Sequence, residues 1–479
     1  MLAHNLPPNT KIVATLGPAS GSPEIIGRLI EAGVTVFRLN LSHGTQEEHA
    51  ARLRVLRARE ADLGATVAVL LDLQGPKIRL GTFAGGGCVL GEGAMFTITT
   101  EPVEGTAERA STSYTGFARD VRPGDRVLLA DGTVELRVLE TDGTDVRSVV
   151  VFGGEISDRK GINLPGVHVN TPSLTRKDMA DLRFGLEAGV DLIGLSFVRE
   201  REDVMRLRLL LEDQGARLPI VAKIEKPEGW SNLDAILEEA DGVMVARGDL
   251  GVEMALEKVP FIQKSIIERA RERGRFVITA TQMLESMVRE PLPTRAEVSD
   301  VANAIFDGTD AVMLSAETSL GKHPVEAARM MARIALEAES SLRPAAALEP
   351  ARAAGAGEAE IVAVAACQAA LAARAAAIVV FTTSGRSARL VARQRPRVPV
   401  CAFTTEPAVA RQLAVIYGVR PVQARRLDST DEMVAQMDAV LLELGWLKAG
   451  DTVVFVSGQP IGRAGTTNMM KLHRVGESR

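Results

Sequence analysis

Lys223 and Glu225 stand two residues apart in a short apolar run, IVAKIE at 220–225. Such a run reads as a β-strand, and residues i and i+2 of a strand share one face. A structural salt bridge is one use for this pair, since buried charges need partners. The other use separates the two groups. Glu225, joined by Asp249 from the neighbouring run DGVMVARGD at 241–249, would bring two carboxylates onto a hard cation. Mg²⁺ takes one or two carboxylates and completes its octahedron with substrate oxygens and water. Lys223 would then place a fixed positive charge where an enolate or phosphoryl oxygen develops negative charge.

Arg38 and Arg79 also end apolar runs. Guanidinium groups suit phosphate oxygens through paired donors. Either arginine alone reads as a surface ion-pair partner; with Lys223 on the same rim the three read as an anion site. Thr281 adds a hydroxyl at a strand end. Arg247, Gly248 and Asp249 open the turn before an apparent helix, where backbone N–H groups could meet a carboxylate. The G-x-x-x-x-G-K-[ST] loop and the protein-kinase motif set are absent. Phosphoryl transfer, if this is the reaction, must therefore rest on a metal ion and on Lys and Arg.

The elements that position these residues form a repeat. Apolar runs at 11–17, 34–40, 66–72, 191–197, 220–225, 241–246, 276–281 and 310–315 alternate with helix-like segments such as 23–32, 47–62, 201–214 and 259–273. Near-continuous apolar strands are expected where helices cover one face and side chains fill the other. Eight β-α units predict a closed (β/α)8 barrel, an α/β fold, with a doubly wound open sheet as the competing architecture. In such a barrel chemistry belongs at the C-terminal strand ends, where the polar residues cluster here. The rhythm breaks between 82 and 169. Gly, Thr and Val dominate there, with turns at 85–87, 123–124, 131–132 and 142–143, which predicts an all-β insertion without helix. An insertion at the catalytic end can serve as a lid that excludes water. The Ala/Gly/Pro-rich stretch 345–357 reads as a linker. Strands near 377–381, 398–403 and 452–456 then predict a separate α/β domain. The expected division is 1–81 and 170–344 for the barrel, 82–169 for the insertion and 345–479 for the C-terminal domain.

A chain of 479 residues exceeds what one core usually holds. Its 46% hydrophobic and 24% charged residues are ordinary for a globular enzyme. A net charge of −5 gives no electrostatic case for nucleic acid or acidic lipid. The three cysteines, Cys88, Cys367 and Cys401, lack metal-ligand spacing and suit no disulfide framework. The N-terminus does not read as a signal peptide, and no apolar run approaches the roughly 20 residues of a membrane span. A cytoplasmic location is the expectation by elimination.

The segments KIVATLGPAS, FRLNLSHG, LLDLQGPKIRLG, KGINLPG, AKIEKPEG, DGVMVARGDLGVE, ITATQMLESM, PTRAEVSDVANAIFDGTDAVMLSAET and GKHPVEA occur in that order. Together they resemble the pyruvate kinase family, closely over 11–340 and more loosely beyond. The resemblance implies transfer of a phosphoryl group from phosphoenolpyruvate to ADP, giving pyruvate and ATP late in glycolysis. It implies Mg²⁺ or Mn²⁺ as cofactor, a homotetramer, and neither nucleic acid nor membrane as partner. Lys223 matches the enolate-stabilising lysine, and Glu225 and Asp249 match the metal ligands. Ala246, Arg247 and Gly248 match the backbone at the substrate carboxylate, and Asp249 borders the same site. Thr281 matches the threonine linked to protonation, and Arg38 the arginine on the transferred phosphate. Asn40, His43, Arg79 and Lys160 match residues around the nucleotide.

One departure from the family pattern stands out. Potassium-dependent members hold a monovalent cation with groups like Asn40, Ser42, Asp72 and the carbonyl of Leu73. They carry Glu where this chain has Lys77, and Thr-Lys where it has Leu73-Gln74. This chain resembles the potassium-independent subgroup, with the Lys77 ammonium as a tethered monovalent cation. Pairing of Lys77 with Asp72 on the rim is the plainer reading. In the C-terminal domain Thr382, Thr383, Ser384, Gly385, Arg386 and Ser387 precede a helix and match the loop that holds an allosteric effector's phosphate, with a polar helix cap as the alternative. The segment 457–468 keeps the family's SG…GTTN frame but departs between. A metal-dependent lyase acting on pyruvate enolate would leave the insertion and the phosphate-facing Arg38 and Lys77 unexplained. A non-catalytic regulatory paralogue would be expected to have lost Lys223, Glu225, Asp249 or Thr281, and all four are present.

Overall fold

The computed structural model describes residues 7–169, 171–342, 357–427, 429–461 and 465–477. The stretch read as a linker lies outside these residues except at its last position, as do 1–6 of the N-terminal tail and 462–464 of the SG…GTTN segment.

Eight strands close into a parallel barrel: Lys11–Thr15, Val34–Asn40, Ala68–Asp72, Leu192–Leu195, Ile220–Ile224, Gly242–Ala246, Phe276–Ala280 and Ala311–Leu314. The first pairs with both the second and the eighth, so no edge remains and the open-sheet alternative is excluded. Alternation along each strand sorts side chains inward and outward. Val36, Ala68, Leu70, Val221 and Ile278 fill the inside near the N-terminal ends and are fully buried. Two residues further on, the same inward face carries Arg38, Asp72 and Lys223. The barrel is thus an apolar plug below and a charged mouth above.

Between the third and fourth barrel strands lies a six-stranded sheet. Its order is Ile162–Asn163, Arg126–Leu129, Val134–Thr141, Asp145–Phe152, Met95–Thr99 and Arg109–Ser111, with a two-stranded ribbon, Gly87–Leu90 and Gly154–Ser157, beside it. Its core, including Phe96, Phe117 and Leu136, is separate from that of the barrel. The insertion is not wholly β: a four-residue helix, Phe117–Asp120, follows the turn at Gly116. So short a helix leaves no periodic signal in the sequence.

The C-terminal residues build a five-stranded sheet ordered Val419–Gln423, Val400–Thr404, Ala377–Phe381, Thr452–Gly458 and Thr467–Arg474, the last antiparallel. The first and last of these were not foreseen. Val419–Gln423 contains Pro421 and two polar residues, and Thr467–Arg474 is largely exposed, so neither shows an apolar run. This part packs on the N-terminal end of the barrel. Ala414, Val415 and Ile416 join the plug residues in one core, and the Lys11 ammonium donates to the Val419 carbonyl at 2.6 Å.

Asp191 ties the two parts by charge. It is 2% exposed and accepts from Arg57 at 2.6 Å, from the Val69 N–H at 2.8 Å and from Arg411 of the C-terminal part at 2.7 Å. Removing the acid leaves two guanidinium groups facing each other without it, and breaking a buried pair costs about 3–5 kcal/mol. Asp191→Ala should therefore lower the urea midpoint by an amount of that order. A midpoint within experimental error of the parent would show that these bonds contribute nothing net.

Candidate active site

Lys223 is the centre of the barrel mouth. Its ammonium lies 3.1 Å from Asp72 Oδ1 and 3.0 Å from Glu225 Oε1, and donates to Ser196 Oγ at 2.6 Å. Burial works against its charge, but Asp72 and Glu225 outweigh burial and hold the ammonium above its ordinary pKa. Asp72 receives Arg38 as well: Nε at 2.7 Å and Nη2 at 2.6 Å on Oδ2. Burial opposes that carboxylate too, and Lys223 with Arg38 holds it below the usual range. Arg38 also reaches Thr15 Oγ1 at 3.2 Å.

Glu225 sits one residue beyond its strand, where its Oε2 accepts the Phe197 N–H at 2.7 Å. Burial pushes its carboxyl up, Lys223 pulls it down, and the nearby Asp249 pushes it up again. Asp249 comes from the next strand end, in the first turn of the helix Arg247–Glu253, and is partly exposed. Asp249, near enough to push the Glu225 carboxyl up and open to the mouth, forms with it an incomplete oxygen cage. Among the described residues no third acid, histidine or cysteine completes such a group. The pair fits an Mg²⁺ or Mn²⁺ ion whose other positions are filled by substrate oxygens and water.

Thr281 follows the seventh strand with φ of +68°, and Gln282 follows at +54°. A β-branched residue in that region is strained, and such strain collects at functional sites. The turn aims Thr281 Oγ1 at the Gly248 N–H, which donates to it at 2.8 Å. Arg247 turns its side chain away, to the Ala280 and Thr281 carbonyls and to Asp300. The Arg247 guanidinium is thus engaged, and of the backbone donors at 246–248 the Gly248 N–H is taken by Thr281.

Lys77 does not pair with Asp72, whose oxygens Arg38 and Lys223 have taken. Its ammonium stands 3.8 Å from Asp249 Oδ1. Asn40 Oδ1 accepts the Ser42 N–H at 3.1 Å, and the Leu73 carbonyl accepts from Ser196 at 2.7 Å. His43 is held below its ordinary pKa by burial first, then by Arg79, Arg38 and Lys77. Arg79 bonds the Arg159 carbonyl at 3.0 Å, which sets it beside Lys160 at the foot of the inserted sheet.

Three contributors escaped the sequence reading: Ser196, Thr15 and the Phe197 N–H. All follow or end apolar strands, and that position was their only signal. Ser196 matters most, since it joins Lys223 to the Leu73 carbonyl.

The loop 382–387 sits far along the chain, in the C-terminal part. It borders a cavity of 310 Å³ whose lining also includes Thr466 of the SG…GTTN segment and, unforeseen, Arg425 and Arg426. Ser387 is buried against Thr467, with its hydroxyl 2.5 Å from that of Thr467.

The family model described as pyruvate kinase, barrel domain, matches residues 7–328, and that described as pyruvate kinase, alpha/beta domain, matches 360–473. A curated pyruvate kinase of Mycobacterium tuberculosis is 47% identical over 469 residues, covering 98% of each chain. That of Geobacillus stearothermophilus is 46% identical over 472 residues, 98% of this chain and 80% of the relative. A crystal structure of a pyruvate kinase from Cryptosporidium parvum superimposes with a TM-score of 0.89 at 35% identity, over 98% of this chain and 96% of the other.

Proposed function

The chain belongs to the pyruvate kinase family, whose members are phosphotransferases, and we propose that Lys223, Glu225, Asp249, Thr281 and Arg38 carry its reaction. The reaction moves the phosphoryl group of phosphoenolpyruvate to ADP and acts late in glycolysis, in the cytoplasm. The observation that carries this reading is the shared mouth of Lys223, Glu225 and Asp249.

Pyruvate kinases use divalent metal ions, and here Glu225 and Asp249 would hold one. When bound, it neutralises phosphoryl and enolate oxygens. Arg38, fixed by Asp72 and Thr15, presents a rigid guanidinium to the transferred group. Lys223 keeps its proton and stabilises the enolate oxygen as the phosphoryl group departs. The backbone at Ala246–Gly248 meets the substrate carboxylate at a helix N-terminus. Thr281 hands on a proton toward the enolate carbon, by itself or through water. The insertion, 82–169, covers the nucleotide, with Asn40, His43, Arg79 and Lys160 around its phosphates.

Potassium is not required in this reading, because the Lys77 ammonium supplies a monovalent charge beside Asp249. The C-terminal cavity, with Arg386, Arg425 and Arg426, suits a phosphorylated effector held at the loop 382–387. A homotetramer is part of this reading; Leu256 at 73%, Phe261 at 76% and Leu292 at 65% exposure are large apolar side chains that a subunit interface would cover. The domain division in this reading is 1–81 and 170–344 for the barrel, 82–169 for the insertion and 345–479 for the C-terminal domain, although Ile78 and Leu80 already pack into the core of the insertion.

The decisive experiment is a coupled assay of pyruvate formation from phosphoenolpyruvate and ADP with Mg²⁺, run with a panel of sugar phosphates and AMP. Turnover that disappears with chelator, and that at least one phosphorylated effector modulates, is expected. No pyruvate would overturn the function, and a flat response to every effector would remove the regulatory site.

A further inference from the structure

Glu253 ends the helix whose first turn carries Asp249. It is 5% exposed, and one of its oxygens, Oε1, serves two donors from different parts of the fold. Asn163 Nδ2, on the strand Ile162–Asn163 of the inserted sheet, donates at 2.9 Å. Lys226 Nζ, in the turn one residue past Glu225, approaches to 2.5 Å. A single buried atom therefore joins the insertion, the helix of Asp249 and the strand of Glu225.

We propose that Glu253 is a positioning residue that latches the inserted sheet to the helix of Asp249, so that the tilt of the insertion and the placement of that carboxylate move together. This rests on reading Glu225 and Asp249 as metal ligands and the insertion as the cover over the nucleotide. The mechanics follow from the helix. Residues 249 and 253 are four apart, one above the other on the same face, and a helix turn passes displacement along its axis. The adjoining turn of the insertion rests on the same helix, since a Cβ at Gly132 would stand 3.7 Å from Val252. Where the chain leaves and re-enters the barrel it is already held. Asp178 accepts the Gly75 N–H at 3.0 Å, and Arg199 donates to the Val169 and Thr171 carbonyls, both at 2.6 Å. With both crossings pinned, the remaining freedom is a pivot, and Asn163 on Glu253 resists it. The contact is strong because it is buried and charge-assisted.

The test is a double-mutant cycle of Asn163→Ala and Glu253→Gln, read as kcat/KM for ADP, with Mn²⁺ binding followed by electron paramagnetic resonance. Each single variant should lose about tenfold, as for one hydrogen bond to a charged group, and the double variant no more than the worse single. Hydrogen exchange at 160–169 should rise in both singles. Additive losses, or a fall in kcat with KM for ADP unchanged, would mean a merely structural contact and overturn the latch. Asn163→Ala lies outside the barrel and carries the same signature should Glu253→Gln fold poorly. Asp249→Asn is run in parallel. If it leaves Mn²⁺ affinity intact, the metal-site reading falls and takes the latch with it; if it weakens Mn²⁺ while the cycle is additive, the latch alone falls.

Discussion

Lys223→Gln is expected to lower kcat by about 10²–10³-fold while leaving KM for phosphoenolpyruvate within a few fold, the pattern of an interaction made chiefly in the transition state. The ammonium is gripped by Asp72, Glu225 and Ser196, so it cannot swing to follow the substrate. A fixed charge in a buried site needs no reorganisation when an enolate oxygen forms beside it, which is why its removal reaches kcat. Glutamine keeps most of the length and can still bond Ser196. The loss then reports the charge and not a hole in the wall. Because Asp72 and Glu225 hold the lysine above its ordinary pKa, it stays protonated through the working range. Any alkaline limb of the rate profile should therefore belong to another group and persist in the variant. Circular dichroism and a thermal melt would establish that the barrel is intact. A folded Gln variant with kcat within tenfold of the parent would exclude Lys223 as the stabiliser of the enolate.

Lys77→Glu is expected to create a potassium requirement in an enzyme proposed to have none. The parent is expected to run at near-full rate in potassium-free buffer at saturating Mg²⁺. The variant should fall about a hundredfold there and recover most of its rate when potassium is added, since one catalytic-site charge is typically worth that much. The reason is electrostatic. Lys77 stands 3.8 Å from Asp249. Replacing its ammonium with a carboxylate sets like charges together at the mouth, where repulsion is weakly screened. A monovalent cation then removes that repulsion; Asn40, Asp72 and the Leu73 carbonyl, the groups matched to the family's cation site, would each exchange a present protein partner to hold it. Initial rates against potassium concentration, with sodium or a quaternary ammonium salt holding ionic strength constant, decide the matter. Strong activation of the parent by potassium, or no activation of the variant, would each defeat the mechanism.

Much of the fold could be read from the chain because barrel strands carry their own signature. Short runs such as DGVMVA and FVITA are apolar on both faces, and their eightfold recurrence with helices between leaves few topologies. The strand at 34–40 and that at 377–381 fell where the pattern placed them, Val34–Asn40 and Ala377–Phe381. The failures are equally physical. Thr467–Arg474 is an antiparallel edge strand, with no apolar run to announce it. Phe117–Asp120 is one turn long.

Local alternation in the sequence determined which side chains enter the barrel and at which end. Val36 then Arg38, Leu70 then Asp72, and Val221 then Lys223 each step from plug to mouth. What it left open was who meets whom there. Lys77 sits on Asp249 and not on Asp72; Ser196 links Lys223 to Leu73; Asn163 meets Glu253 across 90 residues. Periodicity is a property of neighbours along the chain, set by backbone geometry within a few residues. Such pairings depend on the tilt of strands and the return path of an inserted sheet, which exist only once distant segments have packed.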